Sequence, residues 1–408
     1  MDLTERHDLK TGSAPWDDGV PGIPPSDALP GRTVDVAICG AGIMGAMLAE
    51  RLTAAGLTVA LLDRRLPGHG STAASTALVL WEADVPLTYL ARRIGEKEAA
   101  RRWRRVHRAA TGLWDRFDEE KIGSSHRDRP SLYIEGDVLD GAGLKAEAEL
   151  RARHGLPSAF LKANATAERF GIAPRAAIVS TDSFEANPLR LTLALLACAR
   201  QRGATVTYPA DVLRLTHETD GVVLKSDQGD VRARHAILAS GYERPSLFLP
   251  SAFSLNASFA IATAPDTAPL WRENAMIWEA SKSYLYARVD AEGRVIAGGG
   301  DETFCDAKGR DALIPQKSQA IAAKLGALVG DPVNPCERWA AVFGASPDGL
   351  PAIGRAANSE RLWLASGFGG NGITFAALAA ELLTAELTGS PDPDFGCFDP
   401  YRFGTTAR

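Results

Sequence analysis

Three glycines near the start of the chain, Gly40, Gly42 and Gly45, have a spacing that suits the binding of phosphate groups. They follow an apolar stretch that predicts a strand and precede a stretch that predicts a helix. The first glycine allows a tight turn, the second lets a pyrophosphate approach the backbone, and the third lets helix and strand pack closely. Asp63 ends the next predicted strand, where a carboxylate can accept hydrogen bonds from ribose hydroxyls. The predicted dinucleotide site comprises Gly40, Gly42, Ile43, Met44, Gly45 and Asp63.

A second glycine cluster, GFGGNG at residues 367–372, opens a predicted helix near the other end of the chain. Glycine costs about 1 kcal/mol in a helix compared with alanine, so this clustering calls for a reason other than helix formation. Backbone amides at a helix start can donate to a negatively charged group. We therefore predict contact with the same ligand through Gly369, Gly370, Asn371, Gly372, Ile373 and Thr374. For the Asn371 side chain, contact with a substrate and a simple helix cap both stay open.

Shorter segments extend the predicted site and favour FAD over NAD as the ligand. Arg64 is expected to cover the adenine or ribose, and backbone groups near Val212 to meet the adenine. A loop after the second predicted strand supplies small residues and hydroxyls through Gly70, Ser71 and Thr72. The stretch HAILASG, which ends in Ser240 and Gly241, is expected to form a late strand beneath the cofactor. A simple NAD dehydrogenase has no need for the second glycine cluster. A disulfide reductase with two dinucleotides would usually need a C-x-x-C pair, and the sequence has none.

Composition excludes several other classes of function. The chain has 408 residues and a net charge of −5, so no general attraction to DNA is expected. The histidines and cysteines lack the spacing of metal ligands, so no metal site is predicted. No apolar run approaches the length of about 18 residues that spans a membrane, and a cytoplasmic location is expected. Free thiols are predicted for Cys39, Cys198, Cys305, Cys336 and Cys397.

The pattern of elements predicts an α/β protein, with a Rossmann-like FAD-binding domain and an inserted α+β substrate domain built on a mostly antiparallel sheet. The prediction of the second sheet rests on strand-like alternation through residues 255–300, where D-A-E-G forms a turn. We expect an extended surface lead-in at 1–33, an FAD-binding domain at 34–118 with 182–246 and 338–408, and a substrate-binding domain at 119–181 with 247–337.

These motifs together resemble the D-amino-acid-oxidase-like family of FAD-dependent oxidoreductases. The family includes glycine and sarcosine oxidases, D-amino-acid dehydrogenases and γ-glutamylputrescine-type oxidases. The resemblance covers nearly the whole chain, and its most specific parts are VDVAICGAGIMGAMLAERLTAAGLTVALLD and SGFGGNGITFAALAAELL. It implies hydride transfer from an amine or amino acid to flavin N5, giving an imine that hydrolyses. Some relatives attach the flavin to a histidine or cysteine, where this chain has Ala73, Ala74 and Ala341, so a non-covalent FAD is implied.

The candidates for substrate contact are less sharply defined by the sequence. Strand alternation would place Tyr284, Tyr286 and Arg288 on one face, where they could hold a carboxylate or amine, or else face solvent. The other candidates are Trp81, Glu82, His69 and Asn371. Glu82 could pair with a cationic amine or begin a helix. No unambiguous general base stands out.

Other functions stay open at this stage. The enzyme could act on a 2-hydroxy acid or a modified tRNA base, or the chain could be a flavin-binding subunit without its own turnover. Residues 88–117 predict one long arginine-rich helix, which could bind RNA, although a solvated face paired with local acids is favoured. The electron acceptor could be oxygen, a quinone or a partner protein.

Overall fold

Two large β-sheets form the framework of the protein. The computed structural model describes residues 2–3, 5–16, 22–123, 126–243, 247–357 and 359–404. The strands of the described part are β1 (Lys10–Gly12), β2 (Val34–Cys39), β3 (Val59–Leu62), β4 (Leu78–Val79), β5 (Arg127–Asp128), β6 (Ser131–Ile134), β7 (Ser158–Leu161), β8 (Ala177–Ser180), β9 (Phe184–Glu185), β10 (Thr205–Thr207), β11 (Val212–Glu218), β12 (Gly221–Ser226), β13 (Gly229–Leu238), β14 (Ser254–Ala262), β15 (Met276–Glu279), β16 (Leu285–Val289), β17 (Val295–Glu302), β18 (Glu337–Ala345), β19 (Ala352–Arg355) and β20 (Leu362–Ser366).

Helices cover the sheets and connect their strands. The α-helices are α1 (Ile43–Ala54), α2 (Leu87–Ile94), α3 (Glu96–Glu119), α4 (Gly141–Arg153), α5 (Ala163–Phe170), α6 (Pro188–Gln201), α7 (Ala307–Val329) and α8 (Gly372–Leu387). None of the helices in the described part of the chain is long and apolar enough to cross a membrane. The five cysteines are free thiols, as predicted.

The first sheet contains the predicted dinucleotide motif. Its strands follow the order β10-β3-β2-β13-β12-β11, and β20 also pairs with β13 and with β19. The strands β10, β3, β2, β13 and β20 pair in parallel. The apolar strands β2 and β3 are buried along nearly their whole length, as expected for parallel strands covered on both faces. On one face of the sheet, α1 packs against both α6 and α8.

The second sheet has nine strands, in the order β1-β18-β14-β17-β16-β15-β6-β8-β7. Every pairing in it is antiparallel except the parallel pairing of β15 with β6. The D-A-E-G segment turns between β16 and β17, with Gly293 at a φ of +74°. The prediction of a mostly antiparallel second sheet is therefore confirmed. A third, small sheet joins β4, β9 and β5.

Two long-range pairings differ from the predicted division of the chain. β18 pairs along its full length with β14, so it lies in the second sheet and not, as the boundary at 338 implied, in the first. β1, in the predicted surface lead-in, pairs with β18. Leu3, Leu9 and Trp16 of the same segment are buried. Local sequence carries no signal for a strand partner so distant in the chain, which is why these pairings were not predicted.

The predicted long helix at 88–117 is instead two helices, α2 and α3. They are separated by Gly95, whose φ of +88° lies in the left-handed region that favours glycine and ends the first helix. The arginines all lie on α3 except for Arg92 and Arg93 of α2.

We predict that Gly45→Ala destabilises the fold. A Cβ at this position would lie 1.9 Å from Gly40 O, so α1 would have to move away from the strand turn. Overpacking of this kind costs about 1–3 kcal/mol, which should lower the midpoint of urea denaturation. Gly396→Ala is the control, because a Cβ there meets no described atom within 4 Å. Equal midpoints for the two variants would contradict the predicted close packing of α1.

Candidate active site

The two glycine clusters lie on the wall of one cavity of about 490 Å³, bounded by residues of both large sheets. A Cβ added at Gly367 would lie 3.6 Å from Met44 Cε and 3.6 Å from Gly372 Cα. The first helix start and the second glycine cluster are thus neighbours, although more than 300 residues separate them in the sequence. The predicted meeting of the two segments is confirmed.

The first glycine turn has the backbone geometry that its sequence predicts. Gly40 has a φ of +115°, and its amide donates to Leu62 O over 2.8 Å. A Cβ at Gly40 would lie 2.4 Å from Ala239 O, so only glycine fits between the strand ends. Gly42 stands at the start of α1 with no side-chain cap, and the Ile43 amide donates to Thr72 Oγ1 over 3.0 Å. This turn therefore presents backbone to the cavity.

Asp63 is fixed by two backbone amides at the end of β3. Its Oδ2 accepts from the Ala41 amide at 2.7 Å and its Oδ1 from the Arg65 amide at 2.8 Å. Burial raises the pKa of this carboxyl, and the two amides oppose the shift only in part. Each oxygen keeps a free lone pair, so the carboxylate can still accept a hydrogen bond from a ligand.

An ion cluster stands beside Asp63 on the same wall of the cavity. Glu243 accepts hydrogen bonds from Arg64 Nε at 3.1 Å and from Arg65 Nη2 at 3.0 Å. These arginines hold the pKa of Glu243 below its usual range against the effect of burial. Sequence reasoning predicted Arg64 at this place but missed Arg65 and Glu243. No local pattern indicates an ion pair across about 180 residues.

The loop at 70–72 lines the cavity together with Val212, Ser240 and Gly241, as predicted. The Ser71 hydroxyl is buried and has no hydrogen-bond partner among the described residues. A buried hydroxyl without a partner costs free energy unless a ligand supplies one. An orphaned donor beside a glycine cradle fits the polar atoms of a bound FAD.

The second glycine cluster binds the chain segment at 80–84 as well as lining the cavity. The Gly370 amide donates to Asp84 Oδ2 over 2.8 Å, and Asn371 Nδ2 donates to Glu82 O over 2.5 Å. The Asn371 side chain is thus not a helix cap, which settles one of its two open interpretations. Thr374 does not line the cavity, because its buried hydroxyl donates to Leu80 O over 2.6 Å.

Two of the three strand residues predicted to share a face reach the cavity. Tyr284 and Tyr286 line it, with ring centroids 5.9 Å apart, and Tyr284 Oη donates to Asp301 Oδ2 over 2.6 Å. Burial raises the pKa of Tyr286 to about 12 and raises that of Tyr284 well above 10. Both phenols are therefore protonated and neutral at neutral pH.

Arg288 follows on the same strand but does not line the cavity. Its guanidinium is buried, donating to Glu185 Oε2 at 3.1 Å and to Thr76 O at 2.6 Å. Burial lowers the pKa of Arg288, while Glu185 opposes the shift. Glu185 on β9 binds the guanidinium of Arg288. Alternation along a strand predicts the face on which a side chain begins, but not the position of its charged end.

Two further candidates lie outside the cavity lining. Trp81 is fully buried, and its Nε1 donates to Thr181 O over 2.8 Å, so this side chain belongs to the core. His69 Nδ1 lies 2.9 Å from Pro67 O within its own turn. Neither side chain reaches the space that the tyrosines enclose.

Glu82 lines the cavity and is only 1% exposed. Its Oε1 lies 3.8 Å from Arg151 Nη1, and Arg151 also donates to Glu147 Oε1 over 2.8 Å. Burial raises the pKa of Glu82, and Arg151 opposes the shift. The hydroxyls of Ser131 and Ser180 also lower its pKa. Neither Glu82 oxygen has a hydrogen bond of normal geometry to a residue that the structure describes.

Asp84 is the main site residue that sequence reasoning missed. Its side chain is exposed to the cavity, and protein atoms surround the cavity wall on which it lies. Burial raises its pKa from 3.8 to about 6; the Gly370 amide opposes the shift and the negative charge of Asp301 adds to it. The available signal was proximity, because Asp84 lies two residues after Glu82, and both line the cavity.

Five of the six arginines of α3 are paired with acids, whereas Arg104 Nη1 lies 3.4 Å from His154 Nδ1. Arg101 donates to Asp394 Oδ1 at 2.6 Å, and Arg105 to Asp392 Oδ2 at 3.1 Å. The remaining pairs include Arg102 with Asp348, Arg108 with Asp394 and Arg116 with Glu50. The predicted pairing with acids is confirmed, but Arg105 is buried and the partner acids Asp348, Asp392 and Asp394 are distant in the sequence, so the face is neither fully solvated nor paired only with local acids.

This architecture, a parallel dinucleotide-type sheet joined to an antiparallel sheet over one cavity, defines a class of flavoprotein. The chain belongs to the DAO family of FAD dependent oxidoreductases, which matches residues 35–386. The family resemblance and the prediction of FAD as cofactor are thereby confirmed.

Three similar proteins illustrate the range of the match. The chain is 23% identical over 370 residues to glycine oxidase of Bacillus licheniformis, covering 88% of this chain and 94% of that protein. It is 42% identical over 83 residues to the bifunctional protein MnmC of tRNA 5-methylaminomethyl-2-thiouridine biosynthesis from Polaromonas naphthalenivorans. That match covers 20% of this chain and 12% of that protein. The crystal structure of L-proline dehydrogenase from P. horikoshii has a TM-score of 0.74 at 20% identity, covering 91% of this chain and 98% of that one.

We predict that Asp84→Asn relieves a pH-dependent destabilisation of the apoprotein. The folded state holds the Asp84 proton up to about pH 6 and the unfolded state only up to about 3.8, so this group lowers stability as pH rises between these values. The melting temperature of the variant relative to the unmodified protein should therefore rise from about pH 4 to about pH 7. Glu360→Gln, at an exposed position, is the control. If the difference in melting temperature between Asp84→Asn and the unmodified protein did not change with pH, the raised pKa of Asp84 would be contradicted.

Proposed function

We propose that the protein oxidises the C–N bond of a small amine or amino acid with non-covalent FAD. The observation that carries this proposal is the shared cavity. One end is lined by the first glycine turn and Asp63, and the wall elsewhere presents Glu82, Asp84 and two tyrosines. A dinucleotide and a small polar substrate are the pair of ligands that suit such a lining.

The first glycine turn, Asp63 and the loop at 70–72 would hold the nucleotide half of FAD. The amides of Gly372 and Ile373, in the first turn of α8, have no intrahelical partner and would hold the flavin half. A bound FAD would supply the acceptor for a hydride from the carbon that bears the amine, and water would hydrolyse the resulting imine.

The protein's own residues would bind and orient the substrate. Tyr284 and Tyr286 are neutral and half-buried. Tyr286 can donate a hydrogen bond to a substrate or accept one from it, whereas Tyr284, whose proton is donated to Asp301, can accept one. Asp84 has one oxygen occupied by the Gly370 amide and a second that can accept a proton from an ammonium group. A substrate amine must lose that proton before its carbon can give up a hydride.

Two alanines support a non-covalent cofactor. Ala74 and Ala341 line the cavity near the places where some relatives carry a histidine or cysteine. Neither side chain can form a bond to a flavin. The cysteine among the described lining residues, Cys39, ends β2 beside the phosphate-type turn.

We also propose a revised division of the chain into two domains. β18 and β1 would join the substrate domain because both pair within its sheet. The C-terminal part of the FAD-binding domain would then begin after Ala345, while the other predicted boundaries are kept.

The local similarity to MnmC supports a second candidate, oxidation of an amine carried by a modified tRNA base. The pairing of the α3 arginines with acids counts against this helix as the RNA surface. Binding of unmodified tRNA at low salt, lost steeply as salt rises, would favour this candidate.

We predict that some small amines or amino acids bleach the oxidised-flavin absorbance of the FAD-loaded protein under anaerobic conditions. A screen of both classes, with 2-hydroxy acids as the comparison, measures this directly. Admission of air then distinguishes oxygen from a quinone or partner protein as acceptor. Bleaching by 2-hydroxy acids alone would overturn the proposed bond, and no bleaching would favour a subunit without its own turnover.

We predict that Ser71→Ala weakens FAD binding without destabilising the apoprotein. The Ser71 hydroxyl is buried without a partner, so its removal costs the apoprotein nothing, whereas the complex loses one hydrogen bond. A loss of about 1 kcal/mol corresponds to roughly fivefold weaker binding. Quenching of FAD fluorescence by apoprotein gives the affinity. The exposed Ser390→Ala is the control, and equal affinities would remove Ser71 from the proposed site.

A further inference from the structure

Positive and negative side chains are unevenly distributed along the cavity wall. Among the described lining residues the cations are Arg64 and Arg65, and both are paired with Glu243 beside the nucleotide turn. Near the tyrosines the charged lining residues are Glu82, Asp84 and Glu279. Glu279 is paired with Lys324, which leaves Asp84 as the acid exposed to the space and Glu82 as a buried acid in its wall.

Asp84 has no cationic partner among the described residues. The groups that act on its carboxyl are the Gly370 amide and Asp301, and Asp301 is itself an acid. Tyr133, Tyr242 and Tyr284 lie close enough for the negative charge of Asp84 to contribute to raising their pKa. A carboxylate in this environment is stabilised most by a positively charged ligand, because a nearby opposite charge offsets the loss of solvation.

Glu82 is compensated only in part. Arg151 is shared between Glu82 at 3.8 Å and Glu147 at 2.8 Å, so one buried cation serves two buried acids. Glu147 has the better share, since it also accepts the amides of Leu87 and Thr88. With both acids ionised, the group of three carries an excess negative charge against the cavity wall.

Aromatic rings enclose the same space. Tyr133 stacks on Trp278 with ring centroids 3.7 Å apart, and both rings line the cavity beside Tyr284 and Tyr286. Ring faces attract a cation, most strongly when water is excluded, and the Arg151 guanidinium already lies 5.7 Å from the centroid of the Tyr133 ring. Acids and ring faces together favour ammonium groups over neutral or negative ones.

The same wall lacks the usual means of holding a carboxylate. Paired hydrogen bonds from an arginine are the common solution for that group. The arginine of this strand, Arg288, is held by Glu185, Thr76 O and Ala186 O instead. Among the described residues no lysine and no other arginine lines the cavity near the tyrosines.

We propose that the substrate is a cationic amine without a carboxylate on the carbon to be oxidised, held by Asp84 and Glu82 within the ring cluster of Tyr133, Trp278, Tyr284 and Tyr286. A diamine fits this site especially well, because one protonated nitrogen can stay with the acids while the other reacts as the neutral amine. The inference rests on the proposed function for the reaction and names the substrate class within it.

Matched pairs that differ by one carboxylate test the substrate class. The FAD-loaded protein is mixed anaerobically with putrescine or ornithine, and with phenethylamine or phenylalanine, using both enantiomers of each amino acid. Faster bleaching by the amine of each pair is the expected result. Faster bleaching by the amino acids would overturn the inference while leaving amine or amino-acid oxidation intact.

A binding experiment separates recognition from turnover. Calorimetry measures the binding of tetramethylammonium and of propionate to the FAD-loaded protein. Tetramethylammonium has no neutral amine form, so it is not oxidised during the titration. The cation should bind and propionate should not. Asp84→Asn should weaken binding of the cation about tenfold, because tetramethylammonium has no N–H and loses only the charge attraction of the carboxylate. Glu82→Gln should weaken it less.

Glu360→Gln removes an exposed acid outside the cavity and is the matched control, with unchanged affinity expected. Tighter binding of propionate, or equal cation affinity in Asp84→Asn, would count decisively against the site. If no compound bleaches the flavin but the cation binds through Asp84, the proposed function fails and the cation site stands.

Discussion

The parallel pairing of β13 with β2 and β20 is the constraint on which the site depends. Leu238 pairs with Cys39 on one side and with Leu364 on the other, so three strands end at one edge of the sheet. The glycine turn follows β2, and the second glycine cluster follows β20. Carboxyl ends of parallel strands are where such sheets bind ligands, because the connections leave a crevice there.

Close packing at that edge explains why glycine is needed at both ends of the chain. Gly40 fits against Ala239 O, and Gly45 fits against Gly40 O, with no room for a Cβ in either place. Gly369, at a φ of +107°, faces Gly349 O in the same way. The backbone approaches itself at these points, and the space left between the turns is the cavity.

The ionised acids beside the second glycine cluster lower the stability of the folded protein. Burial raises the pKa of Glu82, Asp84 and Asp301, which means that their charged forms are less stable here than in water. A core formed only for stability would carry apolar side chains at these positions, because buried ion pairs often contribute little net stability. Acids without full compensation are characteristic of functional sites, and here Glu82 and Asp84 line the ring-enclosed part of the cavity.

The sequence by itself determined the turns, the cofactor class and the family. Glycine spacing, the acid after β3 and the strand–turn–helix order are local features. Gly40 and Gly369 are also fixed by backbone geometry that few other residues can adopt. Tertiary structure decided where the charged ends of long side chains lie and to which sheet distant strands belong. Arg288 lies on the predicted strand but binds Glu185, and β18 pairs with β14 about 80 residues earlier. Asp84 gains its character from burial and from Asp301, neither of which is visible in the residues around it. Charge, burial and pairing at these positions depend on neighbours that only the folded chain brings together.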